Sequence, residues 1–360
     1  MTAAQTTMSR LGRLLLTLAS AVAVLAGMRI AAPILGPVLI ALMITIAWTP
    51  GSQWLRRHGW PSSVAALTGI VIGMLVILIF VGLVWSSLIQ LQDKLPGYQP
   101  RIESLQQVIR DRLSDLPIES SRLFTGELLR ASSIVTYGLT TIKRITQTAG
   151  TVIVLMLLMA FMMIEATRFP GKLKRALSSH PEAIEQLTRF GDSIRGYLVI
   201  NAAFGLVAAI INTLLLIALG VDFPLLWGLL SFLLSFVPNV GFLIALVPPA
   251  LMALVEAGFI RAAIVVGAYT LINFVVDNVI KPRFVGHTVD LSPLIVVVSL
   301  FFWGWLLGPM GALVAVPLTI ALKFFFESFT DSRWLAHLMS DAGPRPSAVD
   351  EPASAEKGAA

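Results

Sequence analysis

Four polar side chains recur at intervals of four residues in the second half of the chain: Tyr269, Asn273, Asp277 and Lys281. This interval places them on one face of a helix. Phenol, amide and carboxylate groups can hydrogen-bond a polar solute, and the carboxylate can also carry a proton. A second interpretation is structural. Asp277 lies sixteen residues beyond Arg261, about 24 Å along a helix, where it would form an interfacial ion pair with Lys281.

Two more amides lie on a predicted membrane span, Gly196 to Val221. Asn201 and Asn212 are eleven residues apart, or about three helical turns, so they share a face. An amide in lipid is costly unless it is paired, so this face is expected to point inward. The two side chains either hydrogen-bond between helices or line a path for a solute.

Two uncharged runs have an unusual length. Phe223 to Val255 has 33 residues and Leu291 to Leu322 has 32, longer than one span of about 17 to 25 residues but too short for two spans and a turn. Glycine and proline interrupt both runs near the middle. We predict two re-entrant hairpins of half-helices, because open backbone at membrane depth occurs only against protein or a water-filled cavity. Two proline-kinked ordinary helices are the alternative.

The interruptions and the polar stripe together give the candidate pathway. The predicted solute-binding or pathway residues are Asn239, Asn273, Asp277, Asn278, Asn201 and Asn212. The predicted breaks or gating points are Pro238, Gly241, Pro282, Gly308, Pro309 and Gly311. Asp277 is also the candidate for proton or ion coupling, provided that desolvation disfavours its charged form.

Composition assigns the chain to the membrane. Hydrophobic residues make up 56% and charged residues 13% of the 360 residues, and mean hydropathy is +0.84. This is too little charge to cover a soluble globule of that size, so an all-α, polytopic membrane protein is expected. The net charge of +6 comes from residues in short loops, which act as orientation signals rather than as a nucleic-acid surface.

The chain divides into four predicted regions. Residues 1–92 form an N-terminal three-helix membrane region, although Leu14 to Met28 also resembles a signal peptide. Residues 93–145 contain eight Lys or Arg and six Asp or Glu and read as an amphipathic helical insert outside the membrane. Residues 146–339 form the membrane transport region, with about five simple spans in the whole chain. Residues 340–360 are expected to be disordered.

Charge also predicts the orientation. The segment 165–195, interpreted as a loop, concentrates Lys and Arg and is expected on the cytoplasmic side. Both termini are then cytoplasmic and residues 93–145 lie outside. The expected partners are the lipid bilayer and a small polar solute; a homo-oligomer is possible and nucleic acid is not expected.

Several motifs in the second half resemble the AI-2E transporter family. They are the run Val237-Pro238-Asn239-Val240-Gly241, the pair Asp277-Asn278 with Pro282 and Gly286, Leu291-Ser292-Pro293-Leu294, the run from Trp303 to Gly311, and Val316-Pro317-Leu318. The likeness follows nearly the whole chain in segment order. The resemblance implies secondary transport. The motif sequences are most similar to a branch that exports autoinducer-2, a small polar signal, across the bacterial cytoplasmic membrane.

Many other family members are similar to sodium–proton antiporters and carry a Gln and a Glu where this chain has Asn273 and Val276. That departure weakens a carboxylate-driven cation antiport. A monovalent-cation (Na⁺/Li⁺)/proton antiporter is therefore the first alternative. A membrane scaffold or assembly protein that binds a partner through residues 93–145 is the second.

Motifs for catalysis and cofactors are missing from the sequence. There is no P-loop, no His-Glu-x-x-His zinc motif and no Gly-x-Ser-x-Gly nucleophile elbow. There is no cysteine, and the four histidines lack metal-ligand spacing. We therefore expect no enzyme, no cofactor and no metal site.

Overall fold

A computed structural model describes residues 10–114, 131–146, 149–238, 240–281, 283, 291–329 and 332–341. Within these ranges all regular structure is helical, which confirms the all-α prediction. The α-helices, numbered in chain order, are α1 Arg10–Ile30, α2 Ala32–Arg57, α3 Ser62–Lys94, α4 Gln99–Ser114, α5 Ala131–Thr146, α6 Ala149–Ala176, α7 Pro181–Ala218, α8 Pro224–Leu234, α9 Val240–Ala257, α10 Phe259–Phe274, α11 Pro293–Leu313, α12 Ala315–Ser328 and α13 Arg333–Met339. A 3₁₀ turn, Leu95–Tyr98, joins α3 to α4, and a π-helical segment, Val275–Ile280, continues α10.

Apolar side chains cover the outside of this bundle. In the described part of the chain, seven helical stretches are long and apolar enough to cross a membrane. They are Ala32–Arg57, Ser62–Val108, Gly150–Ala176, Pro181–Ala218, Val240–Ala257, Phe259–Ile280 and Pro293–Leu313. On α3 alone, Leu67, Val71, Leu75 and Leu78 are each more than half exposed. A continuous apolar surface of this kind suits lipid and not water.

One predicted loop differs from the structure. The segment 165–195 is not a loop: α6 continues to Ala176 and α7 begins at Pro181. Its Lys, Arg and Glu residues favour helix, and pairs such as Glu185 with Arg189 (Oε1 to Nη2, 2.6 Å) support the exposed turns. The first two helices meet at the single residue Ala31, without a loop.

The run Phe223 to Val255 folds back on itself. α8 and α9 are joined through residues 235–239, and the backbone N–H of Asp222 donates to Glu256 Oε2 at 3.2 Å. The two ends of the run therefore meet, which a single kinked helix could not achieve. The arms are unequal, with 11 residues in α8 and 18 in α9.

Gly241 makes this reversal possible. A Cβ atom there would overlap the carbonyl oxygen of Leu234. The turn itself is closed by the Gly241 N–H, which donates to the Val237 carbonyl at 3.0 Å. Only glycine permits so close a backbone approach.

The run Leu291 to Leu322 is also broken, at the predicted position Gly308. Gly308 has φ +71° and ψ −157°, a conformation outside the helical region that only glycine adopts without strain. Beyond it, α12 packs on α11, and the Trp303 indole N–H donates to Thr319 Oγ1 at 3.1 Å. Whether either folded run is re-entrant in the bilayer stays a prediction.

Candidate functional site

A cavity of about 410 Å³ lies where the break between α8 and α9 meets α7 and the far end of α10. Its described polar lining residues are Ser231, Ser235, Thr270, Asn273, Asp277, Asn278 and Lys281. Its other described lining residues are apolar or glycine: Phe204, Gly205, Ala208, Leu234, Val237, Pro238, Phe242, Ala245, Phe274 and Val276. A small pocket with apolar walls and a few polar groups is typical of a small-molecule site.

The polar stripe reaches the cavity through a change in helix geometry. After Phe274 the backbone becomes π-helical, and this segment contains Asp277 and Asn278. π-helical turns are rare and are often found at functional sites. The predicted regular spacing is therefore altered, and Asn278, which is not one of the four stripe residues, lines the cavity beside Asp277.

The two amides on this wall are held by their own helix. Asn273 Nδ2 donates to the Tyr269 carbonyl at 2.8 Å, and Asn278 Nδ2 donates to the Phe274 carbonyl at 3.1 Å. Each bond uses one amide hydrogen. The second N–H and the carbonyl oxygen of each side chain make no hydrogen bond to another described residue. Both amides can therefore bind a solute hydroxyl.

Asp277 and Lys281 form the predicted ion pair, with Lys281 Nζ 3.2 Å from Asp277 Oδ1. The Asp277 side chain is half exposed and that of Lys281 is 24% exposed. Both residues also line the cavity. The structural pair and a place in the pathway are therefore compatible, whereas the sequence presented them as alternatives. Among the described lining residues, Asp277 is the only carboxylate and Lys281 the only cation.

Close packing shapes the opposite wall. At Gly205 of α7, a Cβ would overlap Ser235 Oγ across the helix crossing. Tyr197, also on α7, donates its hydroxyl to the Phe236 carbonyl at 2.9 Å. These contacts fix the open backbone beyond α8 against α7.

The other predicted residues lie apart from this cavity or outside the described residues. Asn201 and Asn212 are 4% and 1% exposed, so both face inward as expected, but neither lines the cavity. Asn201 Nδ2 donates to the Tyr197 carbonyl at 2.8 Å. Gly308, Pro309 and Gly311 belong to the second folded run, which packs on α2, where a Cβ on Gly36 would meet Met310. Asn239 and Pro282 lie outside the described residues.

Sequence reasoning missed most of the lining, including the small residues Gly205, Ser231, Ser235 and Thr270. Small residues of this kind are common inside membrane helices, where hydroxyls usually bond to their own helix. Ser235 Oγ donates to the Phe232 carbonyl and Thr270 Oγ1 to the Val266 carbonyl in this way, both at 2.7 Å. Only their positions next to the break and the stripe indicate a role.

A second polar cluster lies at the opposite end of α7, α8 and α10. The Tyr98 hydroxyl donates to Asp222 Oδ2 and lies 3.2 Å from Glu256 Oε1, while Lys94 Nζ is 3.3 Å from Asp222 Oδ2. The hydroxyl donor, and then Lys94, hold the pKa of Asp222 below its usual range, against the opposing effect of desolvation. This cluster ties the 3₁₀ turn after α3 to both ends of the first folded run. No group of three or more metal-binding side chains occurs among the described residues.

The fold and the cavity together define a multi-pass α-helical membrane protein with a polar pocket at a helix break. Residues 18–331 match the family described as AI-2E family transporter, so the chain belongs to that family. It is 33% identical over 332 residues to the AI-2 transport protein TqsA of Escherichia coli (strain K12), which covers 91% of this chain and 96% of that protein.

Two other relatives bear on function. The putative transport protein YhhT of Escherichia coli (strain K12) is 30% identical over 332 residues, or 92% of this chain and 95% of that protein. A sodium-lithium/proton antiporter of Halobacillus andaensis is 23% identical over 319 residues, or 81% of this chain and 88% of that protein. The chain is therefore a membrane transporter of a bacterial family and not an enzyme.

Proposed function

We propose that the chain is a secondary transporter of the bacterial cytoplasmic membrane that exports autoinducer-2 or a similar small polar solute through the cavity. The observation that carries this proposal is the cavity itself, a space of about 410 Å³ at the break of a folded-back helix pair. Broken helices of this kind form the binding sites of secondary transporters. The relative named as an AI-2 transport protein supports the choice of solute.

The lining suits a neutral, hydroxyl-rich solute. Two amides and three hydroxyl side chains supply hydrogen-bond donors and acceptors, and aromatic and aliphatic side chains form the rest of the described wall. Asp277 and Lys281 already pair with each other, so a neutral solute meets a site of balanced charge. The cavity volume falls in the range of roughly 300 to 1,000 Å³ for small-molecule sites.

Coupling to protons is assigned to Asp277. Its carboxylate borders the cavity and its partner Lys281 lies one turn away on the same helix end. Protonation would release Lys281 and change the charge of the pathway during transport. Gly308 would allow the second folded run to move, because its backbone is already outside the helical region.

A monovalent-cation/proton antiporter is the second candidate, and one observation favours it. Asp277 is a carboxylate on the cavity wall, and coupled ion exchange needs such a group at depth. The wall is otherwise poor in charge: among its described residues no second carboxylate accompanies Asp277. A desolvated cation would therefore rely on hydroxyl, amide and backbone oxygens.

The experiment uses the purified full chain in liposomes loaded with a pH dye. Efflux of autoinducer-2 and sodium-driven proton movement are measured side by side, with empty liposomes as the control. Autoinducer-2 efflux without a sodium response supports the exporter. Proton movement driven by sodium, without solute flux, would instead favour the antiporter.

If neither autoinducer-2 efflux nor sodium-driven proton movement is detected, the result would favour a scaffold. Deletion of residues 93–145 then tests that alternative, since a scaffold loses its partner whereas a transporter keeps part of its flux.

The four sequence regions, the cytoplasmic termini and a homo-oligomer remain predictions. Protease accessibility of each terminus in oriented vesicles tests the orientation.

A further inference from the structure

Three side chains at or just beyond the cavity wall carry buried polar atoms without hydrogen-bond partners. They are Ser231 on α8, Tyr269 on α10 and Asn212 on α7; both polar atoms of the Asn212 amide are unpaired. Tyr269 is fully buried and Asn212 is 1% exposed. Unpaired polar groups at such depth destabilise a protein and are rare, so their presence in three adjoining helices calls for a function.

Ser231 connects this group to the cavity, because it is one of the lining residues. The Tyr269 hydroxyl lies next to the Ser231 hydroxyl, and neither oxygen makes a hydrogen bond of good geometry. The two hydroxyls therefore meet at the wall, where a third polar group could bind both. Each can donate one hydrogen bond and accept others.

The helix crossing brings Asn212 to the same region. Gly205 lies against Ser235, and Thr213 lies against Gly228, so α7 and α8 run antiparallel with Asn212 within about one turn of the level of Ser231. Asn212 also follows the lining residue Ala208 by four residues on α7. It therefore lies on the same face of α7 as the cavity wall, one turn beyond it.

We infer that Ser231, Tyr269 and Asn212 form a hydroxyl-binding subsite at the inner end of the cavity, which takes a hydroxyl group of the transported solute. This inference rests on the proposed function and adds the residues that select for hydroxyl-bearing solutes. A solute hydroxyl would supply the partners that these atoms lack within the protein. A solute without that hydroxyl would leave these polar atoms unpaired, and the subsite would therefore discriminate strongly against it.

The first test compares Tyr269→Phe with wild type for autoinducer-2 efflux from liposomes and for Tm without solute. KM is expected to rise about 3- to 10-fold, the ratio for one neutral hydrogen bond. Tm should stay the same or rise, because the variant removes a buried hydroxyl that has no partner. A wild-type KM, or a raised KM with a fall in Tm, would overturn the inference.

Two further variants keep this test decisive. Ser231→Ala is expected to raise KM by a similar factor, which protects the conclusion against a folding defect in one variant. Thr45→Val is the matched control, since Thr45 is buried on α2, its hydroxyl donates to the Ala41 carbonyl at 2.8 Å, and it lies outside the cavity. Its KM should equal that of wild type.

A second measurement does not depend on the identity of the solute. The chain has no cysteine, so Asn212→Cys and Thr45→Cys each introduce a single thiol, and the two sites are 1% and 6% exposed. A water-soluble methanethiosulfonate reagent should modify the first and spare the second, because only the first borders a hydrated subsite. If wild type moves no autoinducer-2, the proposed solute is wrong, and labelling alone decides: an unreactive Asn212→Cys overturns the subsite.

Discussion

Replacing Tyr98 with Phe should loosen the attachment of the 3₁₀ turn after α3 to the first folded run. Tyr98 is 6% exposed, and its hydroxyl donates to Asp222 and lies 3.2 Å from Glu256. A hydrogen bond to a charged group contributes about 1.5–3 kcal/mol when buried. The Asp222 side chain is 40% exposed, which lowers the expected loss of unfolding free energy to about 1–2 kcal/mol.

With an unfolding entropy of about 2.1 cal/mol/K per residue, this loss converts to a fall in Tm of roughly 1 to 3 °C for a chain of 360 residues. The assay is thermal unfolding of the purified protein in detergent, followed by tryptophan fluorescence. Lys94→Met is the matched control, because it removes a solvent-exposed ion pair with the same carboxylate and should cost about 0–1 kcal/mol. Equal Tm values for Tyr98→Phe and wild type at pH 7 would refute the reasoning.

The same cluster predicts a pH dependence through Asp222. Its pKa is lower in the folded state because Tyr98 and Lys94 stabilise the carboxylate, so the unfolded chain binds a proton more readily. The stabilisation is complete above the usual Asp pKa of about 4 and is lost as the pH falls through the lower folded value. The Tm difference between wild type and Asp222→Asn should therefore be constant from pH 6 to 8 and shrink in acid; a difference that grows in acid would contradict it.

The remaining predictions concern the helix breaks and the coupling carboxylate. Gly241→Val should abolish folding and flux, because the valine side chain would overlap the Leu234 carbonyl across the break. Gly267→Ala, in open space on α10, is the control and should keep wild-type Tm and flux. Size-exclusion and efflux assays measure both variants. Gly308→Ala should cost about 1–3 kcal/mol, because its backbone lies in a region that essentially only glycine adopts. Gly304→Ala, in ordinary contact on the same helix, should show no such fall in Tm. Asp277→Asn should abolish the pH dependence of flux, measured over pH 5.5 to 8; an unchanged profile would leave Asp277 with only its ion pair.

The helical breaks could be predicted because they follow from single residues and run lengths. Gly241 and Gly308 each meet a requirement that only glycine fulfils, and a run of 33 uncharged residues cannot cross a bilayer twice. The ion pair between Asp277 and Lys281 also followed from spacing alone. These are local features, so the sequence carries them directly.

Features that depend on helix-to-helix contact were not predictable. Nothing in the spacing of the stripe indicates that α10 becomes π-helical after Phe274. Gly205 and Ser235 border the cavity only because two helices cross at that point. Tyr98 reaches Asp222 from 124 residues away, and no periodicity in a single sequence reports such a contact.

Blocking the cavity tests the transport pathway most directly. Thr270→Cys places a single thiol on the cavity wall, and Thr136→Cys places one on α5, where the threonine hydroxyl makes the same bond to its own helix, 2.7 Å long in both cases. Modification of Thr270→Cys with a bulky methanethiosulfonate reagent should stop autoinducer-2 efflux. Autoinducer-2 should in turn slow the modification of this thiol. The modified Thr136→Cys protein should keep wild-type flux. Full efflux through a completely modified Thr270→Cys protein would show that the solute takes another path.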